Sequence, residues 1–279
     1  MASTTTLFGP LGRQVAIPYP LTGMTVTSEA TSEESTLLSG GLNVYRAPTT
    51  HKSYSMNYKG GVSGLQPLVD MHAGMYGRGP FYMIDPLAEK GNLLPTRWAS
   101  PWQLTYIANG WCDPLLGTQS DTPEGQLARF TGNSIDSSEG LRIAVPVVPG
   151  QPMYLKAWGS VVGGAGVRVY RLVKATGEWQ LVTRHVPTLV AGSTTLHIAA
   201  NSGLYSAYKF VLYAPSGTTL SLYHMDVSTT PPPTDSFRSG QGVGALQFVG
   251  ELAGNVVSSV SGRIGLSVNL KEIERDANL

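Results

Sequence analysis

The residues able to do chemistry are few and scattered. Five histidines, His51, His72, His185, His197 and His224, stand too far apart for any two to bind one metal at zinc-site spacing, and neither H-E-x-x-H nor C-x-x-C occurs. Cys112 sits in Trp111-Cys112-Asp113-Pro114 with no histidine near it in sequence, and G-x-S-x-G is absent. Carboxylates such as Asp85, Asp113, Asp121, Glu124, Asp136 and Glu139 could serve a glycosidase in pairs, but any chain of this length carries such a set. The glycine clusters Gly163-Gly164-Ala165-Gly166 and Gly240-Gln241-Gly242-Val243-Gly244 lead into no helix whose free amides could hold a phosphate. They read as a hairpin tip and a flexible loop. The expectation is a protein that is not an enzyme, with no catalytic residue, cofactor or metal. His72 reads as a core histidine, and His197 and His224 as strand residues with ordinary hydrogen bonds.

Rings offer more than titratable groups. Tyr154, Trp158, Tyr170, Trp179, Tyr205, Tyr208, Tyr213 and Tyr223 crowd one part of the chain. Tyrosine and tryptophan stack on sugars, but they also dominate cores and protein interfaces, and that second role is favoured here. Alternation along a strand puts Tyr154, Lys156 and Trp158 on the face opposite Met153, Leu155 and Ala157. Tyr154, Trp158 and Trp179 are therefore the candidate contacts for a glycan or a partner.

These rings need strands to position them, and the chain supplies strands in short, evenly spaced runs. Leu141–Val148, Gln151–Trp158, Gly166–Lys174, Trp179–His185, Ser193–Ala199, Ser206–Ala214 and Thr218–Val227 succeed one another between Gly and Pro, with Thr176-Gly177 as a hairpin turn. This pattern predicts an antiparallel sandwich of jelly-roll type. Upstream, Gln14–Tyr19, Gly23–Thr27, Leu42–Arg46 and Tyr54–Tyr58 read as strands, and the polar run Ser28–Thr36 as an exposed loop. Leu65, Leu68, Val69, His72, Met75 and Tyr76 fall at helical spacing after a Ser63/Gln66 capping box, predicting three turns of helix on a sheet. From Trp111 into the 140s the chain reads as polar and turn-rich. Ser228–Pro233 (STTPPP) reads as a stiff extended linker. Beyond it, Ala245–Val249 and Arg263–Ile273 are strands, too few to fold alone, so they are expected to pair with the N-terminal strands. The division expected is a discontinuous first domain, 1–110 with 236–279, and an inserted sandwich, 111–235.

Composition narrows the function. Charged residues are 13% against roughly 25% in an average domain, so much of the surface is expected to meet partners. A net charge of +1 gives no basic face for tracking phosphates, and no nucleic-acid specificity is expected. No run approaches the roughly 18 apolar residues of a membrane span, and MASTTTLFGPLGR has no signal-peptide pattern, so synthesis and folding in the cytoplasm are expected.

The most unusual stretch is Gly74–Trp102, GMYGRGPFYMIDPLAEKGNLLPTRWASPW, with four glycines, four prolines and five aromatics. Only Phe81–Asp85 has the character of a strand; the rest reads as a fixed crossing pinned by rings, with Phe81, Tyr82, Trp98 and Trp102 as the residues that lock the domain junction or assembly. Its runs Gly79-Pro80-Phe81-Tyr82-Met83-Ile84-Asp85-Pro86, Asn92-Leu93-Leu94-Pro95 and Trp98-Ala99-Ser100-Pro101 resemble those of minor tail proteins of long-tailed phages infecting actinobacteria. The final strand Ile264–Glu272 is also similar, and the resemblance follows nearly the whole chain in order, with its specific motifs in the central stretch. It implies a tail-tip virion component with a β domain related to tail tubes and distal tail proteins and a galectin-like or carbohydrate-binding-like sandwich. It further implies assembly with copies of itself as a ring, often six-fold, and contact with neighbouring tail proteins; the alternative reading is a carbohydrate-binding host-adsorption protein whose aromatic-rich sandwich meets a host cell-wall glycan. No catalytic residue comes with it.

Overall fold

The computed structural model describes residues 5–20, 23–36, 42–85, 88, 90–95, 99, 117–121, 128–132, 141–148, 150–162, 166–185, 192–199, 203–213, 219–234, 236 and 238–258, together with 263–273. Strand β17 (Arg263–Glu272) shows why the chain ends close on each other. Its apolar alternates Leu266, Val268 and Leu270 need a buried face, and they lie opposite Tyr58, Met56 and Tyr54 of β4 (Leu42–Val62) in an antiparallel pair. The last strands thus join the N-terminal ones, as their shortness requires. Strands β3 (Met24–Thr36), β15 (Leu246–Phe248) and β16 (Ala253–Ser258) complete this five-stranded sheet. A second sheet of three strands, β2 (Val15–Pro18), β1 (Thr5–Gly9) and β5 (Tyr82–Met83), encloses the core with it. Within that core Phe8, Phe81 and Phe248 form a ring cluster with centroids 5.0–5.9 Å apart. We call this unit the terminal body.

The middle of the chain forms the sandwich. One sheet has the order β12 (Gly192–Ile198), β9 (Met153–Val162), β14 (Thr219–Ser228), β7 (Ala128–Gly132), β6 (Gly117–Asp121). The other has the order β11 (Trp179–His185), β10 (Gly166–Val173), β13 (Tyr205–Tyr213), β8 (Leu141–Pro146). All pairs are antiparallel, and the chain passes between sheets at β8–β9–β10 and again at β12–β13–β14. The protein is mainly β, with a jelly-roll-type sandwich. Met153, Leu155, Ala157, Met225 and Val227 from the first sheet are buried, as are Val145, Val169, Tyr208 and Phe210 from the second.

Several elements differ from expectation. Ser28–Thr36 is not a loop: it continues β3 and pairs with β4 out to Thr36–Leu42. Its Ser, Thr and Glu residues lack an apolar alternate, but backbone pairing alone extends the ribbon. Opposite Thr31 lie Ala47, Pro48 and Thr49, a bulge where a proline costs no ladder bond. Helix α1 (Gln66–His72) has two turns, not three, and no side chain caps it, so the Ser63/Gln66 box is not formed. It stops because Gly74 takes φ +86°, leaving Met75 69% exposed. His72 is exposed, with its ring edge-on to Phe248 and Nε2 3.3 Å from the Gly250 carbonyl. The predicted strand Phe81–Asp85 shrinks to Tyr82–Met83, with Phe81 joined to Leu246 by a single bridge. The run after Trp111 contains β6 and β7. Residues 163–165, read as a hairpin tip, lie outside the described residues; the strands that flank them, β9 and β10, belong to different sheets. No helix among the described residues is long and apolar enough to cross a membrane.

Candidate functional site: the seam between terminal body and sandwich

The described residues between Gly79 and Pro95 run along the seam, and Asn92 and its neighbours match their polar atoms across it. Asn92 is fully buried; its Nδ2 donates to the carbonyls of Met225 (2.9 Å) and Arg238 (3.0 Å), while Oδ1 accepts from the Leu94 and Val227 amides, both at 3.1 Å. The Leu93 amide adds a 2.7 Å bond to the Val227 carbonyl. From the other side Gln241 and Gly242 donate their amides to the Asn92 carbonyl. A Cβ on Gly242 would lie 1.6 Å from the Leu93 oxygen, and one on Gly240 2.6 Å from the Leu94 oxygen. These glycines therefore serve close backbone packing, and the flexible-loop reading of Gly240–Gly244 is corrected.

Charges close the seam at two points. Arg238 grips the buried Asp226 with Nε at 2.7 Å and Nη2 at 3.1 Å, a two-pronged pair, and Nη1 reaches the Thr230 hydroxyl at 2.8 Å. Lys156, also buried, donates Nζ to the carbonyls of Pro233 and Thr234. The STTPPP run is thus fastened along the sandwich and is not a free spacer. On the terminal body Asp85 accepts from Lys52 Nζ and from the Tyr54 hydroxyl, each at 2.8 Å. Burial first, then Asp85 beside it, pushes the Tyr54 phenol far above its ordinary range, so it stays a donor. Glu272 accepts the Gly244 amide at 2.9 Å and the Lys52 amide at 3.0 Å.

One cleft opens beside this network. Its volume is about 210 Å³, and it lies between Pro10, Leu11, Gly79, Pro80 and Tyr82 of the terminal body and Leu172, Gly177 and Trp179 of the sandwich. Local geometry explains each wall. Phe81 and Met83 turn into the core, so alternation sends Tyr82 to the other side of the strand. Gly79 holds φ +87°, a conformation disfavoured with a Cβ, which would also stand 2.7 Å from Gln247 Nε2. Across the cleft, Gly177 at φ +70° turns β10 into β11 and sets Trp179 directly opposite Leu172. Lys209 Nζ stands 4.5 Å over the Trp179 ring and 5.3 Å over Tyr170.

Of the residues singled out from sequence, the structure brings Tyr82 and Trp179 together. Phe81 belongs to the core ring cluster. Tyr154 lies on the other sheet, half-buried and stacked on His197 with centroids 4.7 Å apart, so one face of its ring is taken. Trp158 belongs to β9, opposite Ser193 and His224, but its side chain lies outside the described residues, as do Trp98 and Trp102 entirely. Burial lowers the His224 pKa from its usual value. Asn92, Lys52, Arg238 and Gly242 gave no functional signal in sequence; the N-L-L-P run was the single pointer to Asn92.

This is a mainly β protein whose sandwich is fixed to a second β body through a polar seam. No protein-family model matches the chain, and no curated protein does. Among solved structures it is similar to a CBM4, with a TM-score of 0.31 and 16% identity over 41% of this chain and 78% of that one. It is also similar to the CBM22-1 xylan-binding domain from Paenibacillus barcinonensis Xyn10C, with a TM-score of 0.32 and 12% identity over 44% and 89%. The secreted serine protease VesC from Vibrio cholerae overlaps 82% of this chain and 45% of its own, with 12% identity and a TM-score of 0.25. At such scores the overlap is partial, and the sandwich rests on the strand pairing above.

Proposed function

We propose that the chain is a non-catalytic host-adsorption component of a phage tail tip. In this reading the sandwich is the part that binds a host glycan, and the terminal body joins copies of the chain to each other and to neighbouring tail proteins. The assembly half rests on the β3–β4 ribbon. Beyond Ser53, β4 loses β17 as a strand partner, yet the two strands stay paired from Ala30–Thr50 out to Thr36–Leu42. Seven residues of extended strand project roughly 20 Å, and a two-stranded ribbon is marginal in water on its own. Pairing with another copy through the outer edge of β3, which has no strand partner among the described residues, would stabilise it.

Light scattering on the intact chain at micromolar concentration tests this. An oligomer is expected, and replacing residues 30–50 by Asn-Gly should give a folded monomer. A native chain that stays monomeric, alone and with neighbouring tail proteins, would remove the assembly half. The glycan half is favoured by Trp179, a half-buried ring set in the wall of an open cleft.

A further inference from the structure

The seam cleft has features that narrow what could occupy it. No charged side chain lines it, and the one cation described against its wall, Lys209 Nζ, is engaged by the Trp179 ring face. Its volume of about 210 Å³ leaves room for a ring-sized ligand, and because the cleft is open the rest of a longer glycan would lie outside it. Trp179 gives a flat apolar wall, and Lys209 above its ring fixes the indole in place before any ligand arrives. The opposite wall is also set in advance, because Gln247 Nε2 donates to the Arg78 carbonyl at 3.0 Å and packs against Gly79.

A second, independent observation concerns Tyr82. The residue is 3% exposed, and its hydroxyl has no hydrogen-bond partner among the described residues. Buried hydroxyls are almost always paired, since an unpaired one costs about 1–3 kcal/mol. A ligand carrying hydroxyl groups, seated against Tyr82 in the cleft, would supply the missing bond. Apolar faces and hydroxyl edges occur together in a neutral sugar.

We propose that the seam is a composite site for one neutral six-membered sugar residue at a glycan end, stacked on Trp179 and hydrogen-bonded to Tyr82. This rests on the glycan half of the proposed function and adds that neither body holds the site alone: Pro10, Pro80 and Tyr82 come from one, Leu172 and Trp179 from the other.

Saturation-transfer NMR on the intact chain, with methyl glucopyranoside, galactopyranoside, mannopyranoside and N-acetylglucosaminide as probes, tests it alongside a pull-down on isolated host cell wall. At least one neutral pyranoside should bind. Tyr82→Phe, which keeps the ring and should leave circular dichroism unchanged, should weaken it about tenfold, and Trp179→Leu should abolish it. Pyranoside binding untouched by both variants would overturn the site, as would stronger binding of the matching uronates. Cell-wall binding without any pyranoside binding would sink the composite site yet leave the glycan reading standing. Failure of both would end the glycan reading as well.

Discussion

Asn92 uses the whole hydrogen-bonding capacity of its amide: two donors go to Met225 and Arg238, and the oxygen serves Leu94 and Val227. An amide so placed is worth more than its bonds to water, because all four partners are backbone groups that the seam would otherwise leave unpaired. Asn92→Ala should cost about 3–5 kcal/mol, measured by urea unfolding with the m-value held against that of the native chain. A loss under about 1 kcal/mol would show that the seam repacks around the gap. In the sequence only the N-L-L-P run points to this residue, since an asparagine beside a glycine otherwise reads as a turn. The ring residues fared unevenly for a related reason. A sequence shows that Tyr154 and Trp179 lie on strands; it does not show that His197 covers one ring while the other stands at a cleft.

Glycine has two uses at the level of the element, and they look alike in sequence. Gly242 sits where a side chain would run into the Leu93 carbonyl, so the run Gly240–Gly244 is tight where it reads as loose. Gly242→Ala should therefore destabilise by on the order of 3 kcal/mol or more, because backbone on both sides must move. Gly250→Ala, where open space surrounds the Cβ, carries only the strain of φ +74° and should cost clearly less. Equal losses in thermal melts of the two variants would refute the packing argument. The sandwich strands from β8 to β14 were legible because apolar alternation and Gly/Pro punctuation coincide there. Strands β6, β7 and the outer part of β3 were not, since hydrogen bonding to a neighbour carries them with little apolar pattern. Helix α1 was read too long because Met75 and Tyr76 keep the helical period past the glycine that ends it.

Across the whole molecule the two bodies are held as one by a crossing that touches both. Arg238 is the point where this can be tested. Its guanidinium neutralises Asp226, whose side chain is wholly buried on β14, while its own carbonyl accepts from Asn92. The same arginine reaches Thr230, tying down the run that leaves the sandwich. Removing it would leave a buried carboxylate unpaired, a loss of about 3–5 kcal/mol, and would loosen the segment whose glycines pack on Leu93 and Leu94. Were the bodies independent, that penalty would fall on the sandwich alone. Because the seam is shared, the native chain should unfold in a single calorimetric transition, and Arg238→Met should split it into two. Sugar binding at the composite site should then weaken even though Arg238 does not line the cleft, since its walls come from both bodies. Two transitions in the native chain would mean the bodies are merely adjacent. In that case the seam could not pass a contact made by the sandwich on to an assembly built from the terminal body.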